Sequence, residues 1–200
     1  MISNINDADI FRRFIERIED VLDLSNNFIS GDISNVTLNS QAAILEYSNF
    51  SGGLPHISAN VSMFLASHNS FSGSISPLLC LPQSNGEKML YLDLSYNHLS
   101  GILPDCWANW KQLIDLDLRS NKLTEIGDLT SLESLDLSYN RLSGEIPSTI
   151  SNLSFLAYLN LSYNNFIGQI PLGTQIQSFD SWSFVGNYEL CGDPLPRKCN

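Results

Sequence analysis

Apolar residues return along this chain in pairs split by a single polar residue: Leu22 and Leu24, Leu92 and Leu94, Leu116 and Leu118, Leu135 and Leu137, Leu159 and Leu161. Alternation with a period of two predicts a short strand with one buried face. Three residues after each pair stands an asparagine. Counting from it gives anchors at Asn164, Asn140, Asn121, Asn97, Asn69 and Asn27, with a degenerate copy at Ser48, spaced by 24, 19, 24, 28, 21 and 21 residues. A recurrent period in this range is the signature of a solenoid, so the pattern predicts about seven stacked coils.

A second signature follows the anchor. Leu99-Ser100-Gly101-Ile102-Leu103-Pro104, Leu142-Ser143-Gly144-Glu145-Ile146-Pro147 and Phe166-Ile167-Gly168-Gln169-Ile170-Pro171 share an apolar-x-Gly-x-Ile/Leu-Pro frame. Gly permits a turn that other residues resist, and Pro forbids a continuing helix. One such unit cannot bury its Leu face alone; stacked units share a core, each strand extending a parallel sheet. The asparagine stands where the chain leaves the strand. Its amide can satisfy backbone groups that the turn would orphan, so Asn27, Asn69, Asn97, Asn121, Asn140 and Asn164 are expected to form a structural ladder.

The frame L-x-x-L-x-L-x-x-N-x-L-x-G-x-I-P resembles the plant-specific class of leucine-rich repeats over Val21 to Pro171. The segments "ISPLLC" at Ile75 to Cys80, "LPDCW" at Leu103 to Trp107 and "SFVGNYELCGDPLPRKC" at Ser183 to Cys199 are similar to the membrane-proximal ectodomain of plant receptor-like proteins, cell-surface receptors without a kinase. The resemblance implies an α/β fold: a right-handed leucine-rich repeat solenoid with a curved parallel sheet on its concave face. It also implies a plasma-membrane glycoprotein whose extracellular side perceives defence or developmental signals, with a peptide or protein ligand and a co-receptor kinase. The last repeats, Leu132 to Pro171, are where the co-receptor is expected. The alternative is a secreted inhibitor similar to the polygalacturonase-inhibiting proteins.

Composition narrows the partners. With 21 acidic against 10 basic residues the formal charge is -11, which argues against nucleic acid or an anionic membrane. The apolar runs fall short of a bilayer span. None of the four cysteines forms a Cys-x-x-Cys pair, which disfavours zinc. Cys191 and Cys199 share the Gly/Pro-rich tail, while Cys80 and Cys106 follow successive anchors by 11 and 9 residues and are brought together by stacking. Both pairings imply an oxidising compartment. Five Asn-x-Ser/Thr sequons, at Asn35, Asn49, Asn60, Asn152 and Asn160, point the same way.

The ends read differently. Residues 1–20 carry no secretory signal; instead Ile10, Phe11, Phe14, Ile15 and Ile18 recur at helical spacing, predicting an amphipathic helix that caps the first repeat. Repeats then occupy 21–171 and a C-terminal cap 172–200. With no membrane span and a shortened fifth repeat, "LTEIGDLTSLESL", the chain reads as a partial receptor.

No motif for an enzyme is present: there is no Gly-x-Ser-x-Gly, phosphate loop or His-Glu-x-x-His, and His56, His68 and His98 share no register. No cofactor or metal is expected. One constellation stands out four residues before the anchors, where Asp23, Asp93, Asp117, Asp136 and Asn160 line the open strand face, joined by Asp115. Asp is the repeat's habitual solvating residue there, or Asp93, Asp115, Asp117 and Asp136, with Tyr96, Tyr139 and Tyr163 beside them, form a stripe for a basic ligand, or the carboxylates share a calcium ion, against which stands the lack of a ligand loop.

Overall fold

The computed structural model describes residues 13–80, 88–104, 106, 110–126, 132–173 and 175–199. The apolar-polar-apolar triplets form seven parallel strands in one sheet: Val21–Asp23, Ala42–Ile44, Met63–Leu65, Tyr91–Asp93, Asp115–Asp117, Ser134–Asp136 and Tyr158–Asn160, neighbours in chain order. The register carries Leu22, Ala43, Phe64, Leu92, Leu116, Leu135 and Leu159 across the sheet as one buried row. The fold is a parallel solenoid of about seven turns.

The Gly-containing frame does more than turn. It forms a second layer of strands, which the repeat pattern alone did not predict. Ser30–Asp32, Asn49–Gly52, Ser70–Gly73, His98–Ile102 and Lys122–Glu125 make a five-stranded sheet; Ser143–Glu145, Asn165–Gln169 and Glu189–Cys191 make a three-stranded one. Between the two layers lies the core, with Phe50, Phe71 and Phe166 fully buried after their anchors. The sheet breaks at the fifth coil, the one shortened to 19 residues. There the strand Lys122–Glu125 has no ladder to the next coil and is linked to it by Arg141 N–H donating to Leu123 O (2.9 Å), Ser143 Oγ donating to Thr124 O (3.3 Å) and Leu123 N–H donating to Asn140 Oδ1 (3.0 Å).

Both cysteine pairs are bonded, Cys80 to Cys106 and Cys191 to Cys199. The first ties the short helix Ser76–Leu79 to the following coil, where buried Trp110 donates its indole N–H to Leu79 O (2.7 Å). At the N-terminal end, Ile10 and Phe11 lie outside the described residues. Ile15 is buried and Ile18 packs on the core, but Phe14, expected on the same apolar face, is exposed. Among the described residues the helix ends at Ile15 and the chain turns at residues 16 and 17, so Ile18 no longer follows the helical register that would set it beside Phe14.

Candidate functional site

Each anchor asparagine works in the same way from Asn69 onward. Asn140 Nδ2 donates to Leu118 O of the preceding coil (2.9 Å) and to Leu137 O and Ser138 O of its own, while its Oδ1 accepts from Leu123 N–H (3.0 Å). Asn69, Asn97, Asn121 and Asn164 repeat this set. Asn27 differs: in the first coil it reaches only Leu24 O and Ser25 O, and it is exposed. Ser48 keeps one bond, to Leu24 O. An eighth rung was missed in the sequence. Asn187, 23 residues past Asn164, donates to Leu161 O and accepts from Phe166 N–H, so the C-terminal cap continues the ladder. Phe184, three residues before it, was the available signal.

Aiming the asparagine inward requires an unusual backbone just before it. Asn26, Tyr47, His68, Tyr96, Ser120, Tyr139 and Tyr163 all have φ between 49° and 54°, and Gly186 has 83°. This left-handed region is costly for side chains with a Cβ, and each coil offsets the cost with the anchor's hydrogen bonds. Repetition of one backbone geometry aligns the side chains into a file. Tyr47 stacks on His68 and His68 on Tyr96, each at 4.2 Å between centroids; Tyr139 stacks on Tyr163 at 4.4 Å. His68 therefore joins the tyrosines' file, which the sequence did not announce, while His56 and His98 lie outside it, so the three histidines share no common register. Ser120 interrupts the file. There the Arg119 guanidinium lies 5.4 Å from the Tyr96 centroid.

On the open face of the seven-stranded sheet, Asp93, Asp117, Asp136 and Asn160 fall in register across four adjacent strands, with Asp115 in the row beside them. Part of their task is structural. Asp23, Asp93, Asp117 and Asp136 each accept, through Oδ1, the backbone N–H two residues on, and Asn160 does likewise. Their second oxygens differ. Asp117 faces Arg119 Nε at 3.3 Å, and Asp136, expected to be exposed, is buried and accepts from Tyr158 OH (3.1 Å) and Asn160 Nδ2 (3.2 Å). Burial, reinforced by Asp93 and Asp136, pushes Asp117 up to about 7 despite Arg119. Asp93 and Asp115 are half-buried on this face and have no ion pair among the described residues. Further toward the N-terminus the same rows become apolar: Ala42, Ile44, Met63 and Leu65.

Of the sequon asparagines, Asn35, Asn49, Asn60 and Asn152 are exposed. Asn160 is half-buried with its amide held by Asp136 and its oxygen by Ser162. A glycan there would attach at Nδ2, the atom held by Asp136.

Leucine-rich repeat profiles match residues 88–110 and, as two copies, 130–178. Receptor-like protein EIX2 of Solanum lycopersicum is 40% identical over 48% of this chain and 10% of its own length. Receptor-like protein 41 of Arabidopsis thaliana is 37% identical over 70% of the chain and 17% of its own length. The crystal structure of the Arabidopsis receptor kinase HAESA in complex with the peptide hormone IDA and the co-receptor SERK1 is similar over 90% of this chain and 31% of that one, with a TM-score of 0.67 and 33% identity. The chain thus spans a small part of the length of these relatives. Repeat geometry, disulfides and relatives agree: the chain belongs to the leucine-rich repeat family of plant receptor-like proteins.

Proposed function

We propose that this chain is a binding module of a cell-surface receptor, holding an extended peptide along the concave sheet and presenting its last coils, Leu132 to Pro171, to a co-receptor kinase ectodomain. The observation that carries the reading is the division of the concave face. Ala42, Ile44, Met63 and Leu65 offer apolar contact over its first half, and Asp93 and Asp115 offer negative charge over its second. A ligand with an apolar stretch followed by basic residues matches both. HAESA, of similar fold, is seen with a peptide hormone and a co-receptor, which supports the same two-partner arrangement here. Two disulfides and four exposed sequons suit the extracellular side of the plasma membrane, and defence or developmental signalling is the corresponding role. Among the described residues no helix is long and apolar enough to cross a membrane.

The test is calorimetric titration of the secreted chain with a short peptide that is leucine-rich at one end and lysine-rich at the other. Binding should weaken roughly tenfold in an Asp93→Asn/Asp115→Asn variant, the scale of two partly exposed charge contacts. Equal affinity for the same peptide with glutamate in place of lysine would overturn the assignment.

A further inference from the structure

The seven-stranded sheet ends at Tyr158–Asn160, where the chain of the cap passes over it and leaves a cavity of about 430 Å³. Its walls include Tyr158 and Asn160 from the strand and Phe179, Asp180 and Trp182 from the cap, and none of its lining residues is cationic. Two features of these walls are unusual for a surface. Trp182 is 72% exposed, the kind of large indole that normally finds cover. Asp180 uses Oδ1 to accept Trp182 N–H (2.9 Å) at the start of the one-turn segment Ser181–Ser183, and its other oxygen carries no bond among the described residues.

The backbone is pinned at this place. Leu161 N–H donates to Ser183 O and Tyr163 N–H to Val185 O, both at 2.7 Å, so the cap is stitched to the last coil beside the cavity, which Ser183 lines. Tyr158 is held by its bond to Asp136. The Tyr158 ring, the Asp180 carboxylate and the backbone that carries Trp182 are therefore in place before any ligand arrives, which lowers the ordering cost of binding.

Aromatic rings, a carboxylate and no competing cation select a cation, preferably a flat one that can lie on an aromatic face while its edge meets the carboxylate. The chain already shows that chemistry once. Arg119 places its guanidinium over Tyr96 at 5.4 Å while pairing with Asp117 at 3.3 Å. We propose that the cavity between Tyr158–Asn160 and the cap is a subsite for a single arginine side chain of the bound peptide, with Trp182 as its stacking surface and Asp180 as its counter-charge. The proposal rests on the concave sheet being the ligand face, and it fixes where a basic ligand end is held.

The probe is the capped tripeptide acetyl-Gly-Arg-Gly-amide, too short to span the sheet, titrated into the whole chain while indole fluorescence is recorded. The peptide should change the emission, and Trp182→Phe should abolish the change while calorimetry still detects binding. Trp182→Ala, which loses the ring, and Asp180→Asn, which retains the cap but not the charge, should each weaken binding roughly fivefold, the scale of one exposed cation-aromatic or ion-pair contact. The citrulline tripeptide, flat but neutral, should not bind. Absence of an arginine-dependent signal, equal binding of citrulline, or indifference to Asp180→Asn would overturn the subsite. If the longer leucine-lysine peptide still responds to Asp93→Asn/Asp115→Asn, the concave reading stands without it; if neither probe binds, both fall.

Discussion

At the scale of the residue, Asn140 joins two coils with one amide. Removing it strands Leu118 O, Leu137 O and Leu123 N–H, all buried, so Asn140→Ala should cost about 1 to 3 kcal/mol, read as a lower midpoint in denaturant. Asn165→Ala, at the exposed position after the next anchor, should leave that midpoint unchanged within error. Asp117 gives the second prediction. Its folded pKa is about 7, above the ordinary carboxylate value of 3.8, so the folded state holds the proton more tightly than the unfolded chain. The stability this contributes is complete below about pH 4 and is lost as pH rises toward 7. Asp117→Asn keeps an acceptor for Arg119 N–H and should flatten that dependence: melting temperatures of variant and parent should agree near pH 4 and diverge in the variant's favour near pH 7.5, and parallel curves would show that Asp117 ionises normally.

At the scale of the element, the strand-turn-strand unit explains what was legible. The anchors, the buried Leu rows and the seven concave strands were readable because each depends on a one-dimensional pattern of apolar and polar residues. The second layer was not, because Ser30–Asp32 and Ser143–Glu145 contain no apolar residue, and only stacking supplies their partners. Nor was the aromatic file, since nothing in "SYN" or "SHN" announces a left-handed backbone. The acidic stripe was legible in position but not in state: Asp136 needed the structure to show Tyr158 and Asn160 closing over it. Gly186 takes the turn position in the cap because a Cβ there would lie 2.9 Å from Tyr163 Cα. Gly186→Ala should therefore cost about 1 to 3 kcal/mol and loosen the cap first, seen as faster amide exchange at Leu161 and Tyr163.

At the scale of the whole molecule, stability is a sum over coils and the contacts between neighbours, and the disulfides add to it at two places. Closing loops with sequence separations of 26 and 8 should contribute about 3.5 kcal/mol for Cys80–Cys106 and about 2.5 kcal/mol for Cys191–Cys199. Paired serine substitutions should lower the melting temperature in that order, and the reverse order would place the larger constraint in the cap. The asparagine ladder adds a property that no single rung has. Every full rung belongs to the later coil and serves the earlier one: Asn187 holds Leu161 O and Phe166 N–H, and Asn164 holds Leu137 O and Leu142 N–H. The solenoid is thus vectorial. Shedding a coil from its beginning leaves a side-chain amide that water can solvate, as Asn27 does already, whereas shedding one from its end strips partners from backbone groups that water cannot reach. Such an array tolerates growth and loss at its start and is intolerant at its finish, so variation in repeat number should accumulate far from the cap while the cap and the coil beneath it stay together as one inherited piece.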